Sequence, residues 1–275
     1  MQRSSLTILF LLITNLQMNA QQGQYATVNG LKLYYEIHGA GKPLVLLHGG
    51  GSTIMSTFGR ILPDIAKTHR VIAVELQAHG HTRDIDRPLS FEQDADDVAA
   101  LLSQLKIHKA DFFGFSNGGT TCLQIAIRHP QMVNKLVLAS TTYKRDGMQP
   151  GFFEGMRAAT LESMPKPLQE AYQKINPDPK GLQAMFERDV ARMIAFKDIS
   201  DEKIKQIDAA ALVINGDAEV VRVEHAVALS QILPHAQLVI IPGGHGDYIG
   251  EICSPNKNSK LPGIVTVLIE TFLEK

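Results

Sequence analysis

Tryptophan is missing from the 275 residues, cysteine occurs only twice, and neither sign of charge prevails: 27 basic side chains stand against 28 acidic ones. Each lack removes a class of function. Without a basic surplus nothing neutralises a phosphate backbone, so nucleic acid is excluded as a partner. Cys122 and Cys253 are too few for a disulfide scaffold and wrongly spaced for a structural zinc. No HExxH or comparable cluster occurs, so neither a metal nor any other cofactor is expected. The longest apolar run falls short of the roughly 20 residues that a membrane-spanning helix needs. What remains is a globular composition, 44% apolar and 20% charged, far from that of a disordered chain.

The first twenty residues differ from the rest. Arg3 gives a positive start, Leu6 to Ile13 is apolar apart from Thr7, and Ala20 offers a small residue before Gln21. Positive, then apolar, then small is the order of a secretory signal peptide, here residues 1–20, although Met18 occupies a position where a small residue is preferred. The expected location is the periplasm or the cell exterior, with no stable membrane anchor once the leader is removed. Cys122 falls on an apolar helical stretch, where a free thiol is usually buried.

From Gln24 onward strands and helices alternate. Asn29-Gly30 between two alternating segments predicts a hairpin, since a type I′ turn needs positive φ at both central residues. Pro43–Leu47 and Val71–Val74 are wholly apolar, as parallel strands covered on both faces are. Ser90-Phe-Glu-Gln93 has the form of a capping box, and Val98, Leu101, Leu102 and Leu105 behind it share one helical face. Strands follow near Phe112–Phe115, Leu136–Ala139, Leu212–Ile214 and Leu238–Ile241. A helix starting at Asn117 must stop before Pro130. The fold class is therefore α/β, a mostly parallel central sheet flanked by helices. Over about residues 141–210 no strand is predicted. Helical stretches rich in Met and Phe stand there instead (Met148, Phe152, Met156, Met164, Met185, Phe186), broken by prolines. They read as an inserted helical cap that both has its own small core and lines a pocket with adaptable apolar side chains.

Four short stretches carry chemistry. Gly114-Phe-Ser116-Asn-Gly118 sits where a strand passes into a helix, a tight turn that lifts the Ser116 hydroxyl above the sheet as a nucleophile. His48-Gly-Gly50-Gly51 follows an earlier strand. Its glycines let backbone N–H groups approach an oxyanion, with the amides of Gly50 and Asn117 as the two donors and His48 as a structural hydrogen-bonder. Asn215-Gly-Asp217-Ala-Glu219 offers two carboxylates, Asp217 and Glu219, to orient a catalytic base. His245, in the loop after the last strand, is that base. The other histidines lack such a setting and read as surface or structural.

With the Gly50 loop, the Ser116 elbow, Glu-Leu-Gln-Ala-His-Gly-His-Thr at 75–82, the acidic loop and His245, the chain resembles the α/β-hydrolase fold superfamily, in its group of small capped serine esterases and lactonases. The resemblance spans about residues 24–275 and makes 21–275 one α/β-hydrolase domain carrying the cap. In that family the triad acid stands three residues after the glycine ending the strand, which on this sequence is Glu219, where most relatives have Asp. Asp217 matches a common non-catalytic acid. Relatives also usually carry Asp, Gly and Ser at the places of Glu75, Ala78 and Thr82. Dehalogenases and epoxide hydrolases of this fold use an aspartate nucleophile, and dehalogenases rely on tryptophan, so both branches are excluded. The resemblance implies a Ser116–His245–Glu219 hydrolase of carboxylic esters or lactones acting through an acyl-enzyme. A macrolactone is one candidate, because certain bacterial relatives of similar layout open macrolide antibiotics. The alternatives are hydrolysis of a carbon–carbon bond or thioester, or a non-turnover receptor for a small molecule, a role some members of this fold perform with the triad intact.

Overall fold

Asn29 and Gly30 lie at φ 48° and 82°, the left-handed pair that a type I′ turn requires. They fold β1 (Gln24–Val28) antiparallel onto β2 (Leu31–His38). The computed structural model describes residues 23–274, so the expected leader at 1–20 lies outside the described residues. After the hairpin come β3 (Lys42–Leu47), α1 (Ile54–Phe58), α2 (Leu62–Ile65), β4 (His69–Glu75) and α3 (Phe91–Gln104). Next are β5 (Ala110–Phe115), α4 (Asn117–Arg128) and β6 (Val133–Ala139). The helices α5 (Phe152–Ala158), α6 (Lys166–Ile175), α7 (Pro179–Ala195) and α8 (Asp201–Lys205) precede β7 (Ala210–Gly216), α9 (Val223–Ile232), β8 (Ala236–Ile241) and α10 (Leu261–Glu274). The eight strands form one sheet in the order β1-β2-β4-β3-β5-β6-β7-β8. Only the β1–β2 and β2–β4 pairs are antiparallel.

The unbroken apolar runs have a direct cause. Along β3, Val45 and Leu47 join the core on one face of the sheet with Val98, Leu101 and Leu102 of α3, whereas Leu44 and Leu46 join the core on the other face with Phe58 and Ile61. A strand covered on both faces has no side on which a polar residue could meet water. Each such buried aliphatic side chain contributes about 1.5–3 kcal/mol. Polar residues appear instead where the parallel strands end: β3, β5, β7 and β8 release the chain into Gly49–Gly51, Ser116, Asp217–Glu219 and Gly243–His245 along one edge of the sheet.

The capping box at Ser90 forms by half. Ser90 Oγ accepts the Gln93 N–H at 3.1 Å, but the Gln93 amide donates to Asp97 one turn on, at 2.9 Å, and does not reach back. Asp97 is buried and also receives Arg87 and Asn29, so it competes successfully for that donor. In the 75–82 stretch the chain accommodates its departures locally. Ala78 adopts the left-handed region, φ 69°, and Thr82 Oγ1 donates to the Glu75 carbonyl at 2.6 Å while accepting the Tyr34 N–H at 2.9 Å. Between β6 and β7 the helices α5–α7 form two smaller apolar clusters with their neighbours. One joins Phe153, Met193 and Phe196 to Phe91 of α3, and the other is built on Met164, Tyr172, Leu182 and Met185, while Ile204 of α8 joins the main core.

Candidate active site

The turn from β5 into α4 places Ser116 at φ 54° and ψ −121°. A side chain in that region is strained by about 1–3 kcal/mol and persists only where its surroundings fix it. Two glycines do the fixing. A Cβ on Gly114 would come within 2.2 Å of the Gly118 carbonyl oxygen, and one on Gly118 within 2.0 Å of the Leu47 carbonyl oxygen. Backbone packs against backbone there, and nothing can yield cheaply. Gly118→Ala is expected to lower the unfolding free energy by about 2–3 kcal/mol, read as a shift in urea midpoint; an unchanged midpoint would contradict the close approach.

Ser116 Oγ lies 3.1 Å from His245 Nε2, and His245 Nδ1 lies 2.6 Å from Glu219 Oε2. The Glu219 side chain is fully buried. Its second oxygen accepts the Gly216 N–H at 2.5 Å and the Ser140 hydroxyl at 2.9 Å, and Ser140 Oγ is itself 2.5 Å from the Tyr248 hydroxyl. The carboxylate is thus held in one orientation, with its free oxygen turned to the imidazole. Asp217, the competing carboxylate, is exposed and accepts the Gly243 N–H at 2.9 Å. It braces the His245 loop and does not touch the ring. Burial, followed by the Glu219 charge, raises the Tyr248 hydroxyl well above its ordinary pKa, so it stays a neutral partner.

Asn117 opens α4, and Gly50 follows β3. Among the described residues neither N–H has a protein acceptor, and both residues line the same cavity as Ser116 and His245. Unengaged N–H groups at the wall of a cavity that holds a hydroxyl–imidazole pair can receive a developing negative charge on oxygen. His48 is buried and structural: its Nε2 accepts the Leu76 N–H at 3.1 Å and its Nδ1 donates to the Gly49 carbonyl at 2.7 Å. Burial, then the neighbouring His79, pushes its pKa down to about 3, which keeps the ring neutral.

Sequence reasoning missed a second polar cluster. His79, one of the histidines read as surface or structural, is fully buried and lies 2.9 Å from Asp189 on α7, a partner the sequence did not announce. Arg192, one turn along α7, bonds both Asp189 and, at 2.7 Å, Asp94 of α3. Burial alone would raise the Asp189 carboxyl, but Arg192 and His79 outweigh it and hold the group well below the usual range. Asp94 goes the other way, pushed up by burial to about 6. Only the i, i+3 spacing of Asp189 and Arg192 was visible in the sequence, and that spacing is common on exposed helices. The supports of Glu219, Ser140 and Tyr248, carried no local signal at all.

A cavity of about 320 Å³ opens over Ser116 between the sheet edge and the cap. Met148, Phe152, Met156, Met164, Met185 and Phe186 are among its walls. Its only ionisable lining residues among those described are His245 and Asp189. Among the described residues no lysine or arginine lines it.

Residues 42–173 match the family model described as the alpha/beta hydrolase fold. Among curated proteins, the chain is 35% identical over 129 residues to a 2-hydroxymuconate semialdehyde hydrolase of Pseudomonas sp. (strain CF600), across 44% of this chain and 46% of that one. It is 26% identical over 250 residues to a 2-hydroxy-6-oxo-2,4-heptadienoate hydrolase of Pseudomonas putida, across 80% of this chain and 88% of that one. The chain therefore spans about half the length of the first relative and most of the second. Among solved structures, a thermophilic esterase from Thermogutta terrifontis superposes with a TM-score of 0.73 at 21% identity, across 92% of this chain and 98% of that chain. At that identity the likeness concerns the fold alone.

Proposed function

The chain belongs to the α/β-hydrolase fold superfamily, and on that premise we propose that it is a serine hydrolase cleaving carboxylic esters or lactones whose acyl part is uncharged and apolar. One observation carries the reading: Ser116 Oγ, His245 and the buried Glu219 form a continuous hydrogen-bonded line, with the unengaged N–H groups of Gly50 and Asn117 beside the hydroxyl. In the reaction His245 Nε2 takes the Ser116 proton as Oγ bonds to the ester carbonyl carbon. The carbonyl oxygen gains the negative charge and lies against the Gly50 and Asn117 amides. The carbon–oxygen bond to the leaving alcohol then breaks, and His245 returns the proton to that alcohol. Water, deprotonated by the same imidazole, repeats the addition and releases the acid.

The cavity supports the choice of substrate. Two relatives are named for a muconate semialdehyde and a heptadienoate, both carboxylates, for which a counter-charge would be needed in a water-poor pocket. Among the described residues this cavity presents none: apart from His245 its one ionisable wall group is Asp189, whose carboxylate is already paired with His79 and Arg192. Its volume, about 320 Å³, stands at the lower end of drug-sized pockets, roughly 300–1,000 Å³. With the cap in this position it suits a medium acyl chain or a small lactone ring better than an entire macrolide. Export through the segment at residues 1–20 belongs to the same proposal, and N-terminal sequencing of the protein made in a bacterial host tests it. The test of the activity is a panel of neutral p-nitrophenyl esters, lactones of graded ring size and a ring-cleavage dienoate. The neutral esters and small lactones should show the highest kcat/KM. A clear preference for the dienoate would replace ester hydrolysis by carbon–carbon cleavage, and binding without turnover would favour a receptor.

A further inference from the structure

We propose that Asp189, on the cap helix α7, is a positioning residue for the oxyanion loop: its carboxylate anchors the Gly51 N–H, and His79 and Arg192 cancel the charge it would otherwise impose beside the reacting carbonyl. The proposal rests on the hydrolase reading above for its catalytic meaning, but the anchoring itself can be measured separately.

The geometry is specific. Asp189 Oδ2 lies 2.5 Å from the Gly51 nitrogen and 2.9 Å from His79 Nε2, while Oδ1 accepts from Arg192. A Cβ built on Gly50 would stand 3.2 Å from that same Oδ2, so the carboxylate abuts the residue to which the hydrolase reading gives an oxyanion donor. The Gly51 N–H belongs to the peptide plane that begins at Gly50 Cα. Fixing that plane limits how the preceding N–H can turn, and a glycine pair has no side chain with which to hold itself. The other backbone tie across the loop, Ser52 N–H to the Gly49 carbonyl, is long at 3.3 Å. A charge-assisted hydrogen bond from the cap is the stronger constraint.

A bare carboxylate at this place would oppose catalysis, since it repels the negative oxygen that the loop exists to stabilise. The surrounding groups remove that objection. His79 Nδ1 faces the Gln77 carbonyl at 2.8 Å, and Nε2 faces Asp189 at 2.9 Å with the Gly51 nitrogen 3.2 Å away. The Gly51 N–H, at 2.5 Å from the carboxylate, points its proton mainly there, so Nε2 is left to donate to Asp189 and the imidazolium supplies a donor at both ring nitrogens. Burial works against that charge, yet the Asp189 carboxylate more than offsets it and holds the His79 pKa above its ordinary value. The groups facing this ring are Asp189 and Arg192 from α7, Asp94 from α3, and the neutral His48 from the loop after β3, whose ring centroid is 4.8 Å away. Two cations then balance two carboxylates. The cap helix and the oxyanion loop are joined by one neutral, buried cluster, which makes the aim of Gly50 depend on the seating of α7.

The test uses Asp189→Ala, Asp189→Asn and His79→Gln in the full protein with a neutral p-nitrophenyl ester. Asp189→Ala removes the acceptor and should lower kcat by about 10–10² with KM nearly unchanged, less than the 10²–10³ typical for losing an oxyanion donor outright. Asp189→Asn keeps an acceptor for Gly51 and should recover most of that loss. His79→Gln leaves the carboxylate short of one cation and should also lower kcat. Combining it with Asp189→Asn restores the balance, so the double variant should lose less than the two single effects multiplied together. A readout independent of turnover is the Gly51 amide proton in glycine-labelled protein. It should resonate at low field in the wild type, move upfield in the Asn variant and further in the Ala variant. If the Ala variant fails to fold, the Asn shift and the double-variant cycle still decide. A change confined to KM, or a Gly51 resonance indifferent to position 189, overturns the proposal. A wild type that turns over no ester but shows the amide shifts would leave the anchor standing and remove only the hydrolase reading.

Discussion

Ser116→Ala is expected to reduce kcat on a neutral activated ester by about 10⁴–10⁶, the range found when a triad nucleophile is removed, while KM and thermal midpoint stay close to those of the wild type. The reasoning separates chemistry from stability. The Ser116 hydroxyl has one partner, His245 Nε2 at 3.1 Å, and no role in capping α4. Losing a single partly exposed hydrogen bond of that kind costs about 1 kcal/mol or less of folding free energy. The strained φ of 54° is imposed by the approach of Gly114 to Gly118 and of Gly118 to the Leu47 carbonyl, none of which alanine disturbs. A steady-state assay together with a melting curve checks both halves. A variant that turns over normally would remove Ser116 from the mechanism, and one that is inactive because it has unfolded would contradict the structural half.

Glu219→Gln should be almost as damaging, lowering kcat by about 10⁴, whereas Asp217→Asn should remain within about threefold of the wild type, as exposed substitutions do. Orientation decides the first value. Glu219 Oε1 receives two donors, Gly216 N–H and the Ser140 hydroxyl, so a glutamine must place its carbonyl oxygen there and its NH₂ group toward His245. A donor facing Nδ1 forces the imidazole into the tautomer that carries its proton on Nε2, and that tautomer cannot accept from Ser116. Asp217 holds only the Gly243 N–H. Parallel kcat determinations on the two variants separate the carboxylates, and the reverse ranking would make Asp217 the orienting acid.

What could be read from the sequence follows from what is local. Asn29-Gly30 specified its turn because the two φ values it needs are properties of those residues alone. The runs in β3 and β4 declared themselves parallel strands because both their faces are covered. Ser116, Asn117, Gly50, Glu219 and His245 were each legible at the end of a strand, and the parallel sheet carries strand ends to one edge whatever lies between them. The partners that cross from one element to another were not legible. Gln93 satisfies every local condition for a reciprocal cap, yet it turns to Asp97 on its own helix, a buried acceptor held in place by Asn29 and Arg87 from other parts of the chain. Asp189 and His79 stand 110 residues apart, and nothing near either of them announces the other. Ser140 and Tyr248 meet Glu219 for the same reason, through tertiary packing alone.

Rapid-quench mass spectrometry during turnover of a p-nitrophenyl ester addresses the central claim most directly. One acyl group should accumulate on the peptide that contains Ser116, disappear as substrate is exhausted, and fail to form at a comparable rate once His245 is replaced by glutamine. Turnover that proceeds with no adduct on that serine, or with the acyl group carried by another side chain, would contradict the mechanism.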